Sequence, residues 1–358
     1  MPLLKPAVYQ NGVYLNPVPT EVGATRHLFQ MFRKLLTGKQ ERVPRRQLGP
    51  FVTDPAAFAR SVPDGLRITW LGHSSLLVEI DGTTLLIDPV FSRRASFSQQ
   101  FGPARFFPAP LSMEQLPPLD AVLITHDHYD HLDAPAIRKM HARVPLFLCS
   151  EGVERHLQRW GIPAGKLHGM NWMDSFTVPS ASPTPLTLTA LPARHFSGRS
   201  LKRYTTLWSS FALKTARRSI YHGADSGYYS GFKEIGEAFG PFDLATIEIG
   251  AFDPLWADIH MGPDNAVLAA QDLRARVLMP IHWGTFNLAF HDWFQPAERL
   301  VEVAAAAGLL LWMPQPGDPA TFTGEPRNSL WWRRYMRTES EQAKEPLGDK
   351  AAKVAARG

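Results

Sequence analysis

The sequence predicts a layered α/β protein, and three observations carry that reading. Short apolar runs of strand length follow one another from Arg67 onward. Helical patterns separate the later runs. Turn residues punctuate the whole, with 31 prolines and 26 glycines among 358 residues. Hydrophobic residues at 44% and charged residues at 20% exclude wholesale disorder and allow a large core.

In chain order, Ile68–Trp70, Leu76–Ile80 and Thr84–Ile87 read as strands, and Asp81-Gly82 is the hairpin turn between the last two. The series continues through Ala121–Thr125, Leu146–Cys149, Leu186–Ala190, Leu207–Leu213 and Ser219–Tyr221. It ends with Leu244–Ile249, Val277–Pro280 and Leu309–Trp312. Helical spacing marks Ala134–Ala142, Gly152–Trp160, Gly231–Phe239, Pro263–Leu273 and Pro296–Ala307, with Pro263 and Pro296 suited to first turns. No repeat of 20–50 residues is visible.

This organisation predicts a basic N-terminal extension over 1–62, a main domain over 63–338 and a flexible charged tail over 339–358. The net charge of +5 lies in the extension: residues 1–60 carry +6 and the remainder −1. A helix is expected over 27–36, where Leu28, Met31, Phe32 and Leu35 share one face. Its expected role is packing on the body, with a membrane-surface helix as the alternative. Trp331-Trp332-Arg333-Arg334 is likewise expected to pack back on the body. The aromatic loops Phe101–Phe107 and Trp283–Phe294 are expected to shape an apolar pocket.

Cys149 is the one cysteine, which excludes an intrachain disulfide framework and any Cys-rich zinc module. Met1–Pro6 lacks the apolar run and cleavage site of a signal peptide, and no stretch approaches the roughly 20 apolar residues of a membrane span. The cytoplasm is the expected location, with peripheral contact at a membrane as a further expectation.

One segment concentrates chemistry. His126-Asp127-His128-Tyr129-Asp130-His131 follows an apolar strand and enters a helix. His126 and His128, two apart, share a face on extended chain and can reach one metal. Asp130 and His131 can reach a second position. Four donors in six residues exceed what one catalytic ion with an open site needs, so two ions are the natural reading. Further ligands are expected just after strands, where loops host α/β sites. His195, Asp225 and His282 occupy such positions.

The His126–His131 run resembles the HxHxDH signature of the metallo-β-lactamase superfamily. Four further segments resemble its N-acyl-phosphatidylethanolamine phospholipase D-like branch. These are Gly72–Glu79 with Asp88–Ser92, the loop around Asp225, Ala251–Pro254 with Ile259-His260, and Ile281-His282-Trp283-Gly284-Thr285-Phe286. The resemblance runs from about Arg67 to Phe290. Arg194-His195-Phe196-Ser197 and Ala224-Asp225-Ser226-Gly227 depart from the branch in the neighbours of the ligand-type residues.

The resemblance implies an αββα sandwich. It also implies that His126, His128 and His195 hold one zinc, that Asp130, His131 and His282 hold the other, and that Asp225 bridges them. Hydrolysis by a hydroxide between the two metals is the expected mechanism. Asp130 and Asp225 are candidate catalytic residues, and His260 is expected to contact the transition state or leaving group. His73 and Asp88 are expected to support the ligands from behind. A phosphodiesterase of the phospholipase D type is the first functional expectation, with a phospholipid as substrate. A lactonase or other carboxylic ester hydrolase is the second. A nucleic-acid-processing or binding protein is the third, and against it the basic residues are not interleaved with aromatics.

Overall fold

The computed structural model describes residues 2–23, 27–60, 62, 65–199, 202–324 and 328–336. The charged tail expected over 339–358 lies outside them. A small hairpin, β1 (Tyr9–Gln10) with β2 (Val13–Tyr14), and helix α1 (Leu28–Thr37) precede the sheets. The first sheet contains β3 (Leu66–Gly72), β4 (Ser75–Ile80), β5 (Thr83–Ile87), β6 (Ala121–Ile124), β7 (Phe147–Ser150) and β8 (Leu167–Met170). Helices α2 (Ala134–Met140) and α3 (Glu154–Arg159) lie between its last strands.

The second sheet contains β9 (Ser175–Val178), β10 (Leu186–Leu191), β11 (Ser210–Lys214), β12 (Ser219–His222), β13 (Phe242–Glu248), β14 (Ala275–Ile281) and β15 (Leu310–Leu311). Its helices are α4 (Gly231–Phe239), α5 (Pro263–Asp272) and α6 (Gln295–Ala307). β16 (Pro319–Thr321) returns to the first sheet beside β3. Each sheet has seven strands, ordered β16-β3-β4-β5-β6-β7-β8 and β15-β14-β13-β12-β11-β10-β9. Each is antiparallel through its hairpins and parallel across its long crossovers, which carry an α-helix except between β5 and β6.

Strand alternation divides the core into layers. Leu76, Val78 and Ile80 face the second sheet's Leu188, Ala190 and Phe211, in one continuous cluster. Leu77, Leu86, Val122 and Ile124 face the other way, onto Ile137 and Met140 of α2 and Leu157 of α3. This is the αββα sandwich, helices outside and two sheets face to face. Trp331 and Trp332 are buried in the main core, as expected for packing back on the body.

Cys149 sits in the outer layer, fully buried. Burial first, then Glu154, pushes its thiol well above the usual range. The folded protein is therefore expected to resist an aromatic disulfide reagent and to react with one thiol equivalent once unfolded. Rapid labelling of the native protein would contradict this packing.

Several local expectations are corrected. Leu207–Ser209 are not strand, because Leu207 N donates to Glu151 O and Ser209 N to Thr125 O, across to the first sheet. The helix expected from Gly152 starts at Glu154, since Gly152 takes φ 90°. The strands β8, β9 and β16 lack an apolar pattern that would reveal them.

The largest correction concerns α1. Phe29, Phe32, Leu35 and Leu36 are exposed. The helix is tied to the body from its other side, where Lys34 Nζ meets Asp253 Oδ2 at 2.5 Å. Helical spacing gives an apolar stripe but not the direction in which it faces. No helix among the described residues is long and apolar enough to cross a membrane.

Candidate metal centre

The site lies where loops leave the ends of strands from both sheets. The loop after β6 carries His126–Asp133 into α2, whose N-cap is Asp133; its Oδ1 accepts from Ala136 N at 3.3 Å. The loops after β10, β12 and β14 deliver His195, Asp225 and His282. Backbone strain gathers here: His73, Asp88, Ala224, Ala251 and His282 all hold φ between 41° and 62°. A non-glycine residue in that region costs energy and persists only where the surroundings over-determine it.

Two donor sets share the carboxylate of Asp225. In the first, His126 Nε2 lies 3.0 Å from His128 Nδ1, and His195 Nε2 lies 3.2 Å from that same atom. In the second, Asp130 Oδ2 lies 3.3 Å from His282 Nε2 and 3.8 Å from His131 Nε2. Asp225 Oδ2 is 3.1 Å from His282 Nε2, 3.2 Å from His131 Nε2, 3.7 Å from His195 Nε2 and 3.8 Å from His126 Nε2. All seven residues selected from the sequence thus converge.

Groups behind the ligands fix their outward nitrogens. Asp88 Oδ2 accepts from His131 Nδ1 at 2.7 Å and from Thr125 Oγ1 at 2.6 Å. Ile259 O accepts from His195 Nδ1 at 2.8 Å. His73 Nε2 donates to Asp130 Oδ2 at 2.9 Å. Orientation of a ligand imidazole by its second nitrogen is the usual support for a metal site.

The donor set fits cations. His131 Nε2, His282 Nε2 and Asp225 Oδ1 are buried without a hydrogen-bond partner. Imidazole nitrogens 3.0–3.2 Å apart need something positive between them. Burial opposes charge throughout, yet His131 and His282 outweigh it and hold Asp225 well below the usual carboxylate range. Conversely Asp225 and Asp130 overcome burial to raise His131 well above its ordinary value, and Asp225 likewise lifts His282 to about 10. His126, His128 and His195 are instead pushed below the ordinary imidazole range, by burial first, so they present lone pairs that suit a divalent ion.

Sequence reasoning missed Glu248. It is fully buried at the end of β13, accepting from Ser226 N at 2.7 Å and His260 Nδ1 at 2.6 Å. Its other neighbour is His282 Nδ1 at 3.8 Å. The available signal was a lone carboxylate inside the apolar run Leu244–Ile249. His260, held by Glu248, stands 5.0 Å from the His195 ring and 5.2 Å from the His282 ring, centre to centre. The two aromatic loops line different pockets: 101–107 walls a groove that mixes five arginines with apolar residues, and 283–294 lines a small pocket beside His282.

Residues 83–283 match the family model of the beta-lactamase superfamily domain. An uncharacterized protein of Mycobacterium tuberculosis is 44% identical over 273 residues, 75% of this chain and 72% of that one. The N-acyl-phosphatidylethanolamine-hydrolyzing phospholipase D 1 of Caenorhabditis elegans is 38% identical over 253 residues, 68% of this chain and 70% of that one. Among solved structures, Igni18, a metallo hydrolase from Ignicoccus hospitalis, superposes with a TM-score of 0.57 at 24% identity. That match covers 72% of this chain and 98% of Igni18.

Proposed function

This chain belongs to the metallo-β-lactamase superfamily, and from that premise we propose that it is a binuclear phosphodiesterase of the phospholipase D type. Its proposed substrate is N-acyl-phosphatidylethanolamine or a related phospholipid. By family it is a metal-dependent hydrolase. The observation that carries the proposal is that Asp225 Oδ2 lies within 3.8 Å of the Nε2 atoms of His126, His131, His195 and His282, two from each donor set. The named activity of the C. elegans relative favours a phospholipid over other esters.

In this reading His126, His128 and His195 hold one ion, Asp130, His131 and His282 hold the other, and Asp225 serves both. Zinc suits these nitrogen and carboxylate donors. Bound there, a metal pair supplies a water acidified towards neutral pH and positive charge against the developing oxyanion.

The chain's own residues do the rest. Asp88 and the Ile259 carbonyl keep His131 and His195 presenting Nε2 to the centre. Glu248 accepts a hydrogen bond from His260 Nδ1, which leaves Nε2 with a lone pair to take a proton from the attacking water and pass it to the leaving ethanolamine oxygen. Water adds to phosphorus, the bond to that oxygen breaks, and phosphatidic acid and an N-acylethanolamine result. The exposed Phe29, Phe32, Leu35 and Leu36 of α1, with Arg33 beside them, suit contact with the membrane that presents such a lipid.

The test is mass spectrometry of products from purified, zinc-loaded protein given N-acyl-phosphatidylethanolamine, ordinary phospholipids and several lactones. Phosphatidic acid released from the first, and lost on chelation, supports the reading. Lactone opening with phospholipids untouched overturns it.

Glu248 is a positioning residue in this scheme. Glu248→Gln is expected to lower kcat about tenfold or more while KM, zinc content and the unfolding midpoint stay near wild type. A purely structural role would instead move the unfolding midpoint and leave kcat per folded molecule unchanged.

A further inference from the structure

We propose that a groove beside the metal centre is a separate binding site for a phosphate ester, held by arginines. The proposal does not depend on which bond the metal centre cleaves, because no lining residue is a proposed metal ligand. The groove, about 1050 Å³, runs between residues 43–47 and 91–109 and includes Asn287, five positions beyond His282.

Arg45, Arg46, Arg93, Arg94 and Arg105 line it, and none of its lining residues is acidic. Arg45 is paired with Glu41 at 3.7 Å. Arg46 donates instead to Arg334 O, and Arg105 to the carbonyls of Phe107, Val90 and Leu71. Carbonyls satisfy hydrogen bonds but carry no opposing charge, and for Arg105 the nearby Asp133 supplies part of one. Arg94 Nε is buried without any acceptor.

Arg46, Arg93, Arg94 and Arg105 place like charges on one concave wall, and a bound anion converts their repulsion into attraction. Guanidinium forks meet phosphate oxygens in pairs, so phosphate is the anion that can engage several of them together. The same walls carry Phe91, Pro103 and Pro108. Phe97 and Phe101, in the same segment, are 80% and 69% exposed. This mixture suits the carbon part of an ester, which a bare ion lacks. The ester can come from a lipid headgroup or from solution.

Arg46→Gln with Arg93→Gln is the variant of choice, because Arg93 is exposed and Arg46 meets only a surface carbonyl. Full-length holoprotein and variant are compared in three arms: phosphatidylcholine vesicles with and without phosphatidate, glycerol 3-phosphate by calorimetry, and single-stranded DNA by gel shift. The readout is binding, so it stands even if no phospholipid is hydrolysed. Phosphate held at the metal centre persists in the variant and is thereby told apart.

The expected result is phosphatidate-dependent vesicle binding weakened at least about tenfold in the variant, with an unchanged unfolding midpoint. Weakening of glycerol 3-phosphate as well assigns the site to phosphate esters of either source; vesicles alone assign it to headgroups. Equal binding by both proteins in the lipid and glycerol arms overturns the proposal. DNA binding lost in the variant, with phosphate esters ignored by both proteins, overturns it in favour of a nucleic-acid groove.

Discussion

Asp225→Asn is expected to abolish hydrolysis, with activity down on the order of a thousandfold and bound metal reduced in the same preparation. The substitution keeps volume and removes one negative charge. That charge faces four imidazoles, with Nε2 atoms between 3.1 and 3.8 Å from Oδ2. An amide cannot answer two cations at once, and its NH2 group brings a donor where acceptors are needed. Losing a buried anion from such a network costs about 3–5 kcal/mol, enough for this fall. Elemental analysis beside the rate assay is the check. A variant with full metal content and wild-type turnover would remove Asp225 from the centre of the scheme.

Trp331→Ala is expected to cause the largest loss of stability, about 3–5 kcal/mol, or a fall of about 4–7 °C in the unfolding midpoint. Trp331 is 1% exposed. Its ring lies 5.2 Å from Phe51, 5.4 Å from Trp283 and 6.1 Å from Trp70. Truncation opens a cavity between three chain segments that cannot all collapse into it. Trp283 directly follows His282, so weaker zinc retention is expected alongside. An unchanged midpoint by calorimetry would make 328–336 a dispensable appendage.

The site was more legible in the sequence than the molecule around it. His126, His128, Asp130 and His131 are close in the chain, so local spacing alone announces a metal. His195, Asp225 and His282 stand alone, but each follows a strand, and strand ends are where α/β folds gather chemistry. Glu248 follows the same rule, yet it ends an apolar run and looks like an accident of composition. The pairing of sheets was not legible: β16 joins β3 across nearly the whole chain, and nothing in Pro319–Thr321 announces a partner. Nor was the orientation of α1, because periodicity fixes which residues share a face but leaves its partner to tertiary packing.

The division of the ligands between the two sheets bears on how the protein is made. His126, His128, Asp130 and His131 come from the first sheet; His195, Asp225 and His282 come from the second. A nascent chain that has made only β3–β8 lacks His195, His282 and the shared carboxylate of Asp225. It can grip a metal no better than a histidine-rich peptide. Tight capture waits until His282 has emerged and the second sheet has closed over the first. On the proposed ligand set, metal uptake is then expected to be a late event of biogenesis, after β14 has been made.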